Sequence, residues 1–378
     1  MPLVALWNGQ RLESFRLDDE WARVRQASRR GELEMTCGTR AIAKVSPRGM
    51  RFFAHKSAGC SLHAGAPETP EHLQAKATLA EAARACGWNA TVEYVGPGGE
   101  WVADVLIERG ELRMALEVQW SPQTTEEFAA RTARYENAGI HCRWFLGPRN
   151  HTRTVPSSYL LHGSGDDLHC SVPGPLFERG GPLPLADAAR ILLDGGVRPF
   201  AELRVEAITV DFYQLKCWAC DRWYSRWWVS EADVVSRCGV EGTVASMAGF
   251  WAWRPGAKAR IEERIHGHIL RLTSRDDWPD PCGYRRMFSQ QAGETYSMAV
   301  CPHCSKPQGD SHLIAARRPR VVTLYLPLDE GARRDFRVST GALRLPHLCP
   351  DVGHGRCEPP RDADPEYVFP MPASTDHE

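Results

Sequence analysis

The stretch that most constrains the fold is residues 101–121, WVADVLIERGELRMALEVQWS. It reads as two adjacent strands joined by a turn at Arg109 and Gly110, since apolar residues flank a glycine that a tight turn accepts. Along a strand side chains alternate faces, so Glu117 and Gln119 share one face while Val118 takes the other. A hairpin brings Asp104 near that pair. An acid among apolar strand residues is costly unless it is paired, hydrogen-bonded or bound to a metal. Two such acids on neighbouring strands point to a metal site.

The flanks extend this hairpin into a larger unit. Thr69, Pro70 and Glu71 open a helix as N-cap, first-turn proline and dipole partner. Leu73, Ala77, Ala80, Ala83 and Cys86 then recur at helical spacing, and Gly87 stops the run. A strand over 88–95, a Gly-Pro-Gly-Gly turn and the hairpin follow. Residues 126–137 form a second helix with Phe128, Ala129, Thr132 and Tyr135 on one side, and 141–146 a fourth strand. The order αβββαβ predicts an α/β fold with a mixed sheet over residues 67–150.

The remaining chain divides by composition. Residues 1–66 form an N-terminal basic region; residues 1–56 carry eleven Lys or Arg against six acids. That charge suits phosphate contacts, and equally a solvated surface. Cys37, His55, Cys60 and His63 are candidate ligands of a degenerate zinc knuckle, although His55 also fits a packed side chain. Residues 151–204 read as a linker with a short helix at 185–193, its first part rich in Pro, Gly, Ser and His. Residues 205–350 contain Cys217-Trp218-Ala219-Cys220 and Cys301-Pro302-His303-Cys304, two knuckles whose thiolates suit one structural Zn²⁺. The eighty residues between the knuckles form an insertion with a helical segment at 257–270. Trp218, Trp223, Trp227 and Trp228 crowd the first knuckle among Arg222 and Arg226, and suit a small core more than base stacking. His347, Cys349, His354 and Cys357 are further candidate ligands. Residues 351–378, an acidic Pro-rich tail, carry seven acids against two arginines and are expected to be disordered.

Thirteen cysteines, an odd number without a secretory signal, point to metal binding in a reducing compartment and to a cytoplasmic protein. No apolar run reaches membrane-spanning length, so no membrane partner is expected. Neither a phosphate-binding GxxxxGK[ST] nor a G-x-S-x-G elbow is present.

The order acid, gap, Glu117-Val118-Gln119 resembles a PD-(D/E)xK nuclease core, which implies a restriction-endonuclease-like fold. More narrowly, residues 35–147 resemble the competence protein CoiA family of nuclease-like proteins. The resemblance rests on Arg51-Phe52-Phe53-Ala54-His55, Glu71-His72-Leu73 with Lys76, and Ala103-Asp104-Val105-Leu106. Glu117-Val118-Gln119-Trp120-Ser121, the helix residues Glu127, Arg131 and Tyr135, and Arg143-Trp144-Phe145-Leu146 complete it. The later cysteine pairs resemble zinc-ribbon segments found after such cores. The resemblance implies a metal-dependent deoxyribonuclease, or a nuclease-like DNA-binding accessory, acting in DNA uptake, recombination or defence. It implies Glu71, Asp104 and Glu117 as ligands of Mg²⁺ (or Mn²⁺), with Gln119 where a lysine usually activates water. Glutamine carries no charge and is no base near neutral pH. Lys76 or Arg131 can supply a cation instead, and Lys76, Arg131 and Tyr135 are the expected nucleic-acid contacts. Glu71 also fits a simple first-turn dipole partner, and Arg131 and Tyr135 also fit packing against the sheet. The zinc region is expected to position DNA or a protein partner.

Overall fold

Strand alternation in the middle of the chain builds a mixed sheet, described here from a computed structural model. The structure describes residues 2–56, 68–165, 167–173, 176–178, 181–199, 203–245, 251–253, 257–290, 294–309, 321–334, 336–338, 346–350 and Cys357. The chain divides into two units. The first comprises Met1–Gly174, Gly180–Ala201 and Leu345–Glu378; the second comprises Pro175–Arg179 and Glu202–Arg344.

In the first unit, β1 (Val4–Trp7), β2 (Gln10–Glu13) and β3 (Leu33–Glu34) form a small sheet beside α1 (Trp21–Arg30). A hairpin of β4 (Ala41–Val45) and β5 (Arg51–His55) follows. Then come α2 (Pro70–Ala85), β6 (Asn89–Val95), β7 (Val102–Arg109), β8 (Leu112–Gln119), α3 (Thr125–Asn137) and β9 (His141–Leu146). This is the αβββαβ order expected from the sequence. Thr69 caps α2 by accepting from the His72 N–H, and Thr124 and Glu127 form a reciprocal capping box on α3.

The sheet continues beyond that core. β10 (Ser158–Ser164) and β11 (Asp167–Ser171) fall where an irregular connection is expected, because the surrounding Pro, Gly and Ser mask their short alternation. β12 (Leu176–Glu178) belongs to the second unit, while β13 (Leu183–Pro184) returns to the large sheet. Among the described residues the order is β13-β11-β10-β9-β8-β7-β6, parallel only where β8 meets β9 and β9 meets β10. α4 (Leu185–Leu193) and β14 (Val197–Pro199) follow.

Both faces of the sheet are covered. Val105, Ile107, Leu116 and Val118 pack with Leu73, Leu79 and Ala80 of α2 and with Leu192 of α4. Leu106, Ala115, Trp144 and Leu146 pack with Phe128 and Tyr135 of α3. Glu117 therefore points into a covered face, not into solvent, and its side chain is fully buried.

The second unit is built on β15 (Leu203–Lys216) and β16 (Trp223–Ser236), a long antiparallel pair. β17 (Glu241–Ala245), β18 (Trp251–Trp253), α5 (Ala257–Thr273), β19 (Gly283–Ser289), β20 (Glu294–Val300) and β21 (Pro307–Gln308) follow. β22 (Val321–Pro327) pairs with β15, and then come α6 (Glu330–Arg333) and β23 (Phe336–Val338). β24 (Pro346–Leu348) belongs to the first unit and pairs with β14. Among the described residues no helix is long and apolar enough to cross a membrane.

Candidate functional site

The centre of the first unit is a row of three acids across three strands. β6 and β7 pair at Val92 with Val105 and at Tyr94 with Ala103, which leaves Glu93 opposite Asp104. β7 and β8 pair up to Val105 with Leu116, which leaves Asp104 opposite Glu117. At this row side chains replace ladder bonds. The Asp104 N–H donates to Glu117 Oε1 at 3.2 Å, and the Val118 N–H donates to Asp104 Oδ2 at 2.8 Å. Glu93 has φ +52°, a left-handed conformation that is strained for a side-chain-bearing residue. Its carboxylate accepts from the Leu3 and Val4 N–H groups at 2.7 and 3.2 Å.

Helix α2 covers one side of the row with residues four apart. Glu68 lies just before the helix, and His72 and Lys76 follow on the same stripe. His72 Nε2 lies 3.2 Å from Asp104 Oδ2, and 3.6 Å from Glu68 Oε1. Lys76 donates to Glu68 at 2.6 Å and to Glu93 at 2.8 Å, with Asp104 Oδ1 at 3.7 Å. Its side chain is 1% exposed. Burial alone lowers a lysine pKa, but Glu93, Glu68 and Asp104 together raise that of Lys76 above its usual value. Burial works to raise the Asp104 pKa, yet His72, Lys76 and Arg131 hold it well below the usual carboxylate range.

Helix α3 covers the other side. Arg131 forks between Gln119 Oε1, at 3.1 Å, and Glu117 Oε2. Its guanidinium also lies 4.8 Å from the centre of the Trp144 ring. The Tyr135 hydroxyl donates to Glu117 Oε1 at 2.6 Å. Burial, with Asp104 opposite, pushes the Glu117 pKa up to about 7 against the pull of Arg131 and Tyr135. A cleft of about 270 Å³ opens beside this group, lined by Glu100, Trp101, Val102, Arg131, Arg134 and Tyr135.

The expected site residues are thus distributed in a specific way. Asp104, Glu117, Gln119, Arg131 and Tyr135 form one connected group. Gln119 orients Arg131 and donates to the Ser121 carbonyl at 2.9 Å. Glu71 stands off the stripe and pairs with Arg48 at 2.8 Å. Lys76 is too buried to meet a nucleic-acid backbone; it holds carboxylates in place instead. Glu68, His72 and Asp104 offer donor atoms within 4.8 Å of one another, a group that can hold a metal ion. Glu68 and Glu93 are not singled out from sequence, and His72 enters only within the resemblance, with no ligand role; the four-residue spacing of Glu68, His72 and Lys76 is the signal that marks Glu68 and His72.

The second unit places Cys217, Cys220, Cys301 and Cys304 together, with all four sulfurs within 4.8 Å of one another. The two knuckles have the same backbone form. Asp221 and Ser305, each following the second cysteine, have φ +58° and +57°. The N–H groups of Ala219 and His303 point at the Cys217 and Cys301 sulfurs at 3.4 Å. Burial raises the Cys217 pKa, but the Ala219 and Cys220 N–H groups outweigh it and lower the pKa to about 6. Of the four tryptophans nearby, Trp227 is buried, whereas Trp218 and Trp223 are 59% and 52% exposed. The core expectation for these rings holds for Trp227 and fails for Trp218 and Trp223, because the knuckle tip is too small to cover them.

In the N-terminal region Cys37 Sγ lies 3.3 Å from His55 Nε2, while Cys60 and His63 lie outside the described residues. His347, Cys349 and Cys357 are buried, and His354 and the rest of the acidic tail also lie outside them.

No curated protein and no solved structure matches the chain. Residues 68–163, about a quarter of the chain, match the family model described as competence protein CoiA, nuclease-like domain. The match begins at Glu68 and runs through the acid row into β10. This segment of the chain is similar to the nuclease-like domain of competence protein CoiA.

Proposed function

We propose that the chain is a metal-dependent nuclease that hydrolyses phosphodiester bonds in DNA, on a restriction-endonuclease-like core of the PD-(D/E)xK type. The observation that carries the proposal is the meeting of Glu68, His72 and Asp104 beside the buried Glu117 and its half-buried partner Arg131, inside the CoiA-like segment. Two carboxylates and an imidazole fit a divalent ion that accepts both oxygen and nitrogen donors. The imidazole makes that donor set a better fit for Mn²⁺ than for Mg²⁺. When bound, such an ion lowers the pKa of a coordinated water and neutralises charge growing on a scissile phosphate.

The protein's own residues have separate tasks in this reading. Lys76 balances the charge of Glu68, Glu93 and Asp104, so that the acids stay ionised close together. Arg131 provides the cation on the Gln119 side, where the related nucleases usually carry a lysine. With Arg134 it gives the cleft a positive wall for a phosphate. Glu117 fixes Arg131 and Tyr135, and can hold a proton near neutral pH. The four-cysteine group takes a structural Zn²⁺, and the exposed Trp218 and Trp223, with Lys216 and Arg222, offer bases a stacking surface.

Gln119 favours a second reading, a non-catalytic DNA-binding accessory that keeps the fold, because its amide cannot take up a proton from water. Cleavage of linear, circular and single-stranded DNA in Mn²⁺ or Mg²⁺, with chelator controls and salt-titrated binding on the same samples, separates the two. Metal-dependent cleavage supports the nuclease in DNA uptake, recombination or defence. Salt-sensitive binding without cleavage under every condition supports the accessory.

A further inference from the structure

We propose that His347, Cys349 and Cys357 bind a second zinc ion, apart from both the four-cysteine group and the nuclease-like site. All three residues are 0% exposed, and their donor atoms lie within 4.8 Å of one another. Ligands of one tetrahedral zinc, with bonds of 2.0–2.3 Å, stand roughly 3.5–3.8 Å apart, so little movement brings these donors onto an ion.

The local sequence explains the convergence. β24 pairs antiparallel with β14, and the Cys349 N–H extends the ladder to the Gly196 carbonyl at 2.7 Å. His347 and Cys349 are two residues apart along extended chain and so share a face. Leu348 between them turns the other way, into the core formed with Val197, Leu192 and Leu193. Cys357 reaches the His347 and Cys349 face from further along the chain.

The chemistry selects the ion. Two thiols and an imidazole form a soft donor set that suits zinc and excludes magnesium. Binding releases the two thiol protons, and a further donor completes the tetrahedron. The gain is mechanical. β14 and β24 pair over only three residues, and a two-stranded ribbon of that length is marginal alone. The ion would clamp the chain where it re-enters the first unit.

The test is zinc content per chain by elemental analysis of the full-length protein, in a His72→Ala background so that the nuclease-like site adds none. Two zinc ions per chain are expected, falling to one in Cys217→Ser and to one in Cys349→Ser. His347→Cys, which offers another thiolate, should keep both. Cobalt substitution of the Cys217→Ser chain should give thiolate charge-transfer absorption that Cys357→Ser abolishes. One zinc per chain that Cys349→Ser leaves untouched, or cobalt bands indifferent to Cys357→Ser, would overturn the proposal. The count on the chain with intact cysteines decides the matter even if a cysteine variant fails to fold.

Discussion

Asp104 and Glu117 stand opposite each other on β7 and β8, each carboxylate accepting a backbone N–H from the other strand. Like charges placed directly opposite on a sheet are destabilising. The pair is held between Lys76 and His72 on one side and Arg131 and Tyr135 on the other. The acid row is therefore a charge-balanced structure, and its balance can be tested group by group.

Removing the buried cation should be costly. Lys76→Met leaves Glu68 and Glu93 without their shared donor, and breaking a buried ion pair in this way costs about 3–5 kcal/mol. Urea unfolding at pH 7 measures it. The deficit should shrink in acid as the carboxylates take up protons. A loss below about 1 kcal/mol would show that water already reaches the site.

A metal should stabilise the folded chain through the α2 stripe. At an Mn²⁺ concentration a hundredfold above its dissociation constant, stabilisation should reach about 2.7 kcal/mol. Thermal unfolding with and without the ion reads this out. His72→Ala should lose the effect, and Glu71→Ala, whose side chain faces Arg48, should keep it.

The raised pKa of Glu117 has a defined sign. Above its ordinary value of 4.5 the unfolded chain releases this proton while the folded chain keeps it up to about 7. The group's contribution to stability therefore falls as pH rises from 4.5 to 7 and is flat beyond. Asp104, depressed in the fold, acts in reverse: its contribution is present above the unfolded value and lost as pH falls below it. The unfolding free energy of Glu117→Gln should lack the downward slope between pH 5 and 7 that is expected of the parent chain. Parallel curves for the two would contradict the assignment.

The exposed indoles predict a contact. Trp218→Ala and Trp223→Ala should each weaken binding of single-stranded DNA by about 1–3 kcal/mol, the scale of one stacked base. Trp227 is no surface control, because it is buried and its loss acts through stability. Unchanged affinity in both variants would free this face for a protein partner.

How much of this was legible in the sequence differs by feature. The hairpin around Gly110, the Thr69 cap and the acids Asp104 and Glu117 are local signals, and the fold follows them. The donors that meet Asp104 are not local. Glu71 has the better sequence credentials as a first-turn acid, but helical rotation sends it to Arg48 and brings His72 to the row. Glu93 was hidden for a different reason: its role depends on a left-handed backbone and on N–H groups of Leu3 and Val4, about ninety residues earlier. The Cys-x-x-Cys spacing identified both knuckles, whereas the exposure of Trp218 and Trp223 depends on how little chain surrounds the tip.

The central claim is that Glu68, His72 and Asp104 hold the ion of a nuclease. Its most direct test is Mn²⁺-dependent cleavage of linear and single-stranded DNA by the parent chain, Asp104→Asn, His72→Ala and Glu71→Ala side by side, with folding checked by circular dichroism. The account predicts cleavage by the parent that chelator stops, a loss of at least about a hundredfold in Asp104→Asn and His72→Ala, and near-parental rates in Glu71→Ala. Cleavage that survives in folded His72→Ala but disappears in Glu71→Ala would contradict it, and would move the metal to the far side of α2.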